Sequence, residues 1–370
     1  MPSLRFKAVH KNYPVRRSGA VAALRDFSLT VPDGKLTVLL GSSGCGKTTA
    51  LRLAAGLETC DAGGILLDGR DLAGVPPGNR PLALVFQNYA LYPQMTAAEN
   101  LAYPLRMRGV APREIQRRVD WVSDLLQLDP AELRRQPHAL SGGQRQRVAL
   151  GKALIREPAV LLLDEPFSSL DHNLRLILRG ELRRIQQRLG ITILMVTHDQ
   201  ADAAAVGDLM AVMDAGRLHQ VDTPVAVRGR PADRFVAGFI GTPPMNFLTV
   251  AWDGDHARLP NGRRIRLPGL AAPPGRLQLG LWSEQLRFGE GAKGLGEVKV
   301  VGSEPSGTGT MVLVSFEEHS LVVRLDGMVA PQPGERRGLC LPEECTVFAE
   351  DGTRIGVRTV ACESLPLALD

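Results

Sequence analysis

"LTVLLGSSGCGKTTALRLAAG", residues 36 to 56, decides the fold. Its opening run is apolar or β-branched on successive residues, the pattern of a strand covered on both faces. Its last third reads as helix. Between them "GSSGCGKT" matches G-x-x-x-x-G-K-[ST], and a strand before it with a helix after it is the context that identifies a phosphate-binding loop. Gly41, Gly44 and Gly46 let the backbone of Gly41, Ser42, Ser43, Gly44, Cys45 and Gly46 curl so that its N–H groups face phosphate oxygens. Lys47 is placed to reach the β- and γ-phosphates of a bound nucleotide. The Thr48 hydroxyl can ligate the magnesium that bridges them, and Thr49 adds a donor at the helix N-terminus. Cys45 reads in two ways: a thiol made reactive by the helix N-terminus, or a small residue that fits.

Outward from this loop, "LALVFQ" (82 to 87), "AVLLLDEP" (159 to 166) and "ITILMVTHD" (191 to 199) repeat the doubly covered strand pattern. Helices are expected between them. One starts at Pro112 with Ile115, Val119, Val122 and Leu126 on one face. Another follows "SSLDHN", with a stripe of Leu174, Ile177, Leu178, Ile185 and Leu189 and Gly190 as its stop. Strand, turn and helix in alternation indicate a doubly wound α/β domain of the P-loop NTPase class. In "VLLLDEP" a buried strand presents Asp164, suited to hold magnesium, and Glu165, suited to polarise an attacking water. Downstream of a phosphate-binding loop, that pair points to nucleotide hydrolysis rather than binding alone.

After about residue 235 the texture changes. "RLPNGRRIRLPGLAAPPGR" and "APQPGERRG" punctuate short alternating runs such as "TMVLVSF" and "SLVVRLDG", the pattern of an all-β module. The boundary is placed near Phe235 to Gly241, giving residues 1–238 and 239–370. The pattern leaves one small barrel and two half-formed ones equally open. The 370 residues allow two such units, and 44% apolar with 22% charged residues is ordinary for a folded soluble chain.

The start does not read as a secretion signal, and no run approaches the roughly 18 apolar residues of a membrane span, so any span is expected from another chain. Cys45, Cys60, Cys340, Cys345 and Cys362 lack the spacing of a zinc site or disulfide framework, which suits a reducing compartment. The net charge of +5 is spread among acids, as in "RGELRRIQQRLG", so no direct nucleic-acid contact is expected.

A second glycine turn, "LSGGQRQRVALGKAL" (140 to 154), precedes another helix, with Ser141 lying 23 residues (164 − 141) before Asp164. Ser141, Gly142 and Gly143 at a helix start form a second anion site, more than one compact domain needs for one γ-phosphate. This stretch closely resembles the signature of ATP-binding cassette (ABC) ATPases. "VFQNYALYPQMT" resembles their glutamine loop, centred on Gln87; "SSLD" before Asp171 resembles the D-loop; "VTHDQADA" resembles the switch loop, with His198. Tyr13 stands where these proteins put an aromatic ring against adenine.

The resemblance implies a cassette with a helical subdomain, followed by an OB-like (TOBE) β regulatory domain. It implies a homodimer whose copies face head-to-tail, the signature of one (Ser141, Gly142, Gly143, Gln144), with Asp171 nearby, closing on nucleotide held by the other's loop. It makes Glu165 the general base, His198 a γ-phosphate contact, and Gln87 a sensor of magnesium and water. Residues 212 to 248 are similar to the linking stretch of maltose and glycerol-3-phosphate importers. That implies ATP-driven solute uptake on the cytoplasmic side of the inner membrane, with two transmembrane permease subunits and an extracytoplasmic solute-binding protein. Importers of polyamines, iron and molybdate share the architecture, and a soluble ATPase acting on nucleic acid is the further alternative. Trp282, Ser283 and Glu284 replace the usual Arg-Pro-Glu, and Gln94 stands where histidine is common.

Overall fold

The computed structural model describes residues 2–15, 19–289, 294–328 and 331–362. The chain divides into two compact units, Met1–Val227 and Arg228–Asp370, so the division falls earlier than the boundary expected near Phe235 to Gly241.

The first unit opens with β1 (Leu4–Val15) and β2 (Gly19–Val31), then β3 (Leu36–Gly41) and α1 (Lys47–Ala55). β4 (Ala62–Leu67), β5 (Arg70–Asp71) and β6 (Leu82–Val85) follow. Four helices come next: α2 (Ala97–Arg106), α3 (Pro112–Leu125), α4 (Pro130–Leu133) and α5 (Gly142–Leu154). β7 (Val160–Asp164), α6 (His172–Leu189), β8 (Thr192–Thr197), α7 (Gln200–Val206), β9 (Leu209–Asp214) and β10 (Arg217–Asp222) complete the run, and α8 (Pro224–Gly229) straddles the division between the units.

Two sheets result. One is antiparallel, in the order β2-β1-β4-β5. The other runs β10-β9-β3-β8-β7-β6, parallel except for the terminal β10. Because β8 lies between β3 and β7 with Leu40 opposite Thr197 and Val196 opposite Asp164, the ends of these three strands are collected at one edge of the sheet. Ligands in open α/β sheets bind at the carboxyl ends of the strands for this topological reason. β3 and β8 are buried throughout, as their uninterrupted apolar runs require. Phe6 and Phe27 from the antiparallel sheet, Leu51 from α1, and Leu162 and Val196 from the parallel sheet share one core, which fixes α1 and the loop before it against both sheets.

α3 buries Ile115, Val119 and Val122 as expected, with Leu126 also buried. α6 ends at left-handed Gly190, but its stripe differs from expectation. Ile177 is 56% exposed, and Leu178, Leu182 and Ile185 share the buried face with Arg179 and Gln186. The reason is polar satisfaction. Arg179 Nε donates to Asp202 Oδ1 of α7 at 2.5 Å, and Gln186 Nε2 donates to Gly34 O at 2.6 Å, so two polar residues hold core-facing positions that apolarity alone assigns elsewhere.

The second unit contains α9 (Arg234–Phe239) and the strands β11 (Asn246–Trp252), β12 (His256–Arg258), β13 (Arg264–Arg266), β14 (Gly275–Leu281) and β15 (Arg287–Phe288). β16 (Gly294–Ser306), β17 (Gly309–Phe316), β18 (His319–Asp326), β19 (Arg336–Cys340), β20 (Glu344–Ala349), β21 (Arg354–Thr359) and β22 (Ala361–Cys362) complete it. They form two antiparallel sheets, β21-β20-β14-β11-β12-β13-β22 and β15-β19-β16-β17-β18. Leu248, Leu279 and Val347 of the first sheet and Val298, Val312 and Val323 of the second lie in one core, which makes a single all-β, OB-like unit. Asn246 stitches the sheets together: its Nδ2 donates to Leu281 O at 3.2 Å and Val322 O at 2.8 Å, and its Oδ1 accepts from Val322 N at 2.7 Å. Trp282 and Ser283 are buried in the turn after β14, and Glu284 pairs with Arg228, whose guanidinium lies 5.2 Å from the Trp282 ring centre.

Candidate active site

β3 delivers the loop 41–46 to the edge of the parallel sheet, and α1 begins immediately after it. Gly46 has φ 112°, and a Cβ there would stand 2.3 Å from Ala23 O; a Cβ on Gly41 would stand 2.4 Å from Met213 O. The loop therefore lies against backbone that only glycine admits. Cys45 is buried, and burial pushes its thiol pKa up with Lys47 partly opposing, which favours a small residue that fits over a reactive thiolate.

Lys47 is buried, and its Nζ donates to Gly41 O at 2.9 Å and Ser42 O at 2.8 Å, arching over the loop. Ser42 Oγ donates to Asp214 Oδ1 at 3.2 Å. Thr48 Oγ1 donates to Asp164 Oδ1 at 3.3 Å, which joins the loop to the end of β7. Burial raises the Asp164 pKa and the adjacent Glu165 carboxylate adds to the rise, while the Thr48 bond opposes it. A carboxyl whose ionised form is so disfavoured is suited to a cation.

Glu165 takes a left-handed backbone, φ 45°, as the chain leaves β7. Its Oε1 is 3.0 Å from His198 Nδ1, beyond the end of β8. Gln87 Nε2, just past β6, lies 3.5 Å from Glu165 Oε2 and donates to Ser168 Oγ at 3.1 Å. Beside these groups is a cleft of about 510 Å³ whose lining includes Tyr13, Ser43, Lys47, Thr48, Thr49 and Glu165.

The fold thus brings together Tyr13, the loop with Lys47, Thr48 and Thr49, Gln87, Asp164, Glu165 and His198. It does not bring Ser141, Gly142, Gly143, Gln144 or Asp171 into the lining of that cleft. Ser141 caps α5 in a capping box, its N–H donating to Gln144 Oε1 at 2.8 Å while its Oγ accepts from Gln144 N at 3.3 Å. Asp171 caps α6, accepting from Leu174 N at 2.9 Å, and Leu174 packs on Gly143, where a Cβ would meet its Cδ1 at 2.9 Å.

Two neighbours of these residues escape sequence reasoning. Ser168 holds Gln87, and Arg175 donates to Asp199 Oδ2 at 2.7 Å, pinning the residue after His198. Nothing in the spacing of 175 and 199 announces the second contact. Ser168 stands inside the quoted "SSLD", and only its position opposite the end of β6 shows its use.

The strand-end loop, the paired carboxylates and the histidine against Glu165 are those of a P-loop nucleotide hydrolase. A model of the ABC transporter family matches residues 24–168. The chain is 46% identical over 362 residues to the sn-glycerol-3-phosphate import ATP-binding protein UgpC of Chromohalobacter salexigens, covering 96% of each chain. It is 41% identical over 364 residues to the maltose/maltodextrin import ATP-binding protein MalK of Yersinia pestis bv. Antiqua, covering 95% of this chain and 97% of the relative. Two solved structures, a dimeric bacterial ABC transporter cassette and a dimeric post-hydrolysis cassette bound to ADP and Pi, each align at TM-score 0.54 and 26% identity. Each covers 60% of this chain and 98% of its own. The chain belongs to the ABC transporter family, among its ATP-binding cassette ATPases.

Proposed function

We propose that this chain is the ATP-hydrolysing subunit of a solute importer of the sugar or glycerol-3-phosphate type, acting as a homodimer with shared sites. The observation that carries the reading is the separation of the two glycine motifs. The loop before α1 lines a cleft with Glu165, whereas the capped N-terminus of α5 lies outside it. Two anion cradles on one chain that do not share a cleft make sense when a second copy supplies the missing half, and a two-fold axis then produces two equivalent sites.

Within such a site Tyr13 lies against the adenine, and the loop amides with Lys47 hold the phosphates. Lys47 exchanges its bonds to the Gly41 and Ser42 carbonyls for phosphate oxygens. Glu165 accepts the proton of the attacking water, and His198, 3.0 Å away, keeps that carboxylate oriented and contacts the γ-phosphate. Gln87 bonds both Glu165 and Ser168 and so reads the state of the water site. Ser141, Gly142, Gly143 and Gln144 of one copy close on the phosphates held by the other, with Asp171 at the same junction.

The residues present fit a magnesium ion: Thr48 Oγ1 and Asp164 Oδ1 are 3.3 Å apart, the carboxyl is partly buried, and Gln87, whose amide nitrogen bonds Ser168, would add its amide oxygen. When bound, the ion neutralises phosphate charge.

Among the described residues no helix is long and apolar enough to cross a membrane. We assign the span to two permease subunits that this chain drives from the cytoplasmic face, with an extracytoplasmic binding protein delivering solute. The cassette hydrolyses ATP and the β domain regulates it. Reconstitution of the chain with its membrane partners into vesicles tests the reading. ATP-dependent uptake that Lys47→Ala abolishes is expected; uptake that persists with the variant would overturn it.

A further inference from the structure

The segment that follows Gln87 is held in an unfavourable backbone. Tyr89 and Ala90 have φ 65° and 47°, left-handed values that residues with side chains keep only under outside constraint. On one side, Tyr89 Oη lies 3.0 Å from Ser169 Oγ, beside the Gln87–Ser168 bond. On the other, buried Asn100 of α2 accepts from Tyr92 N at 2.8 Å and donates to Tyr92 O, Met95 O and Thr96 O. The third constraint comes from Lys152. Its Nζ donates to Ala90 O at 2.8 Å and stands 3.9 Å from the centre of the Tyr92 ring. Lys152 lies on α5, eleven positions after Ser141 (152 − 141), on the helix whose N-terminus is the second anion cradle.

We propose that Lys152 is a positioning residue that fastens the helix bearing Ser141 to the segment bearing Gln87. This rests on the shared-site reading above. The contact is a charge-assisted hydrogen bond combined with a cation–π interaction, and no carboxylate bonds this ammonium among the described residues. The titratable groups packed there are Tyr92 and, behind it at 4.6 Å between ring centres, Tyr103 of α2. Burial alone pushes the Lys152 pKa down to about 8. The ring contact therefore weakens as the pH rises through that region.

The test uses the full chain carrying Glu165→Gln, in which ATP-driven dimers accumulate and are counted by sedimentation. Adding Lys152→Met should raise the ATP concentration at half-dimerisation roughly tenfold, the loss expected for such a contact, while nucleotide affinity of the monomer stays unchanged. Lys152→Arg should restore dimerisation, and because a guanidinium does not titrate in this range it should keep it above pH 8, where the parent weakens. A Lys152→Met chain that melts like its parent and dimerises at the same ATP concentration overturns the proposal. So does an arginine variant with the parent's alkaline loss. A parent that binds ATP and never dimerises would instead refute the shared site beneath it.

Discussion

Glu165→Gln separates binding from chemistry at this site. The substitution conserves shape: an amide oxygen turned toward Gln87 Nε2 and an amide nitrogen turned toward His198 Nδ1 would replace contacts now at 3.5 and 3.0 Å. What is lost is the proton acceptor. General-base catalysis contributes about 10²–10⁴ in rate, so hydrolysis should slow by that factor, about 3–5 kcal/mol in the barrier. ATP binding should not weaken. Part of the upward shift of the Asp164 pKa comes from the Glu165 charge, and removing it makes the Asp164 carboxylate easier to keep ionised. Single-turnover phosphate release measures the first effect and equilibrium binding of ATP the second. A variant that releases phosphate at the parent rate, or one that loses ATP affinity along with turnover, would refute the assignment.

Gly46→Ala places a methyl 2.3 Å from Ala23 O at a left-handed position. It should cost about 1–3 kcal/mol of backbone strain and abolish ATP binding, read by calorimetric titration and melting. Asn246→Ala leaves Val322 N, Val322 O and Leu281 O without their partner, so thermal unfolding should show a loss of about 2–4 kcal/mol in the β unit with ATP affinity intact. Asp208 receives Arg183 through both oxygens and Leu36 N at 2.9 Å, and the Arg183 bonds lower its pKa. A carboxylate with a depressed folded pKa stabilises above its unfolded value near 3.8 and loses that contribution as pH falls through the folded value. Asp208→Asn should therefore destabilise by about 1–2 kcal/mol at pH 7 in denaturant titrations, with the gap closing below the unfolded pKa.

The loop-bearing edge of the parallel sheet was legible because its geometry is local. A strand, a glycine turn and a helix specify the loop by adjacency, and Asp164 and Glu165 sit at the tip of an apolar run whose burial the composition alone implies. The convergence of Gln87, Glu165 and His198 follows from motif order plus the parallel topology. The departures arise where tertiary contacts override apolarity. Ile177 looked core-facing by spacing, yet Arg179 and Gln186 take the buried face of α6 because Asp202 and Gly34 O satisfy them. Lys152 was hidden for the opposite reason: within "VALGKAL" it reads as an ordinary solvated lysine, and only the fold sets Tyr92 and Ala90 O against it. In the β module, alternation announced strands but could not say that two sheets share one core, since that depends on long-range pairings such as Asn246 with Val322.

The central claim is that each ATP is enclosed by two copies of the chain. It is tested most directly by mixing a chain carrying Lys47→Ala with one carrying Ser141→Arg, each inactive alone. A site built from two chains predicts that the mixed dimer regains one intact site, the loop of the Ser141→Arg chain closed by the signature of the Lys47→Ala chain, and with it ATP turnover. Turnover that stays at the background of the separate variants, although the mixed dimer forms, would contradict the account.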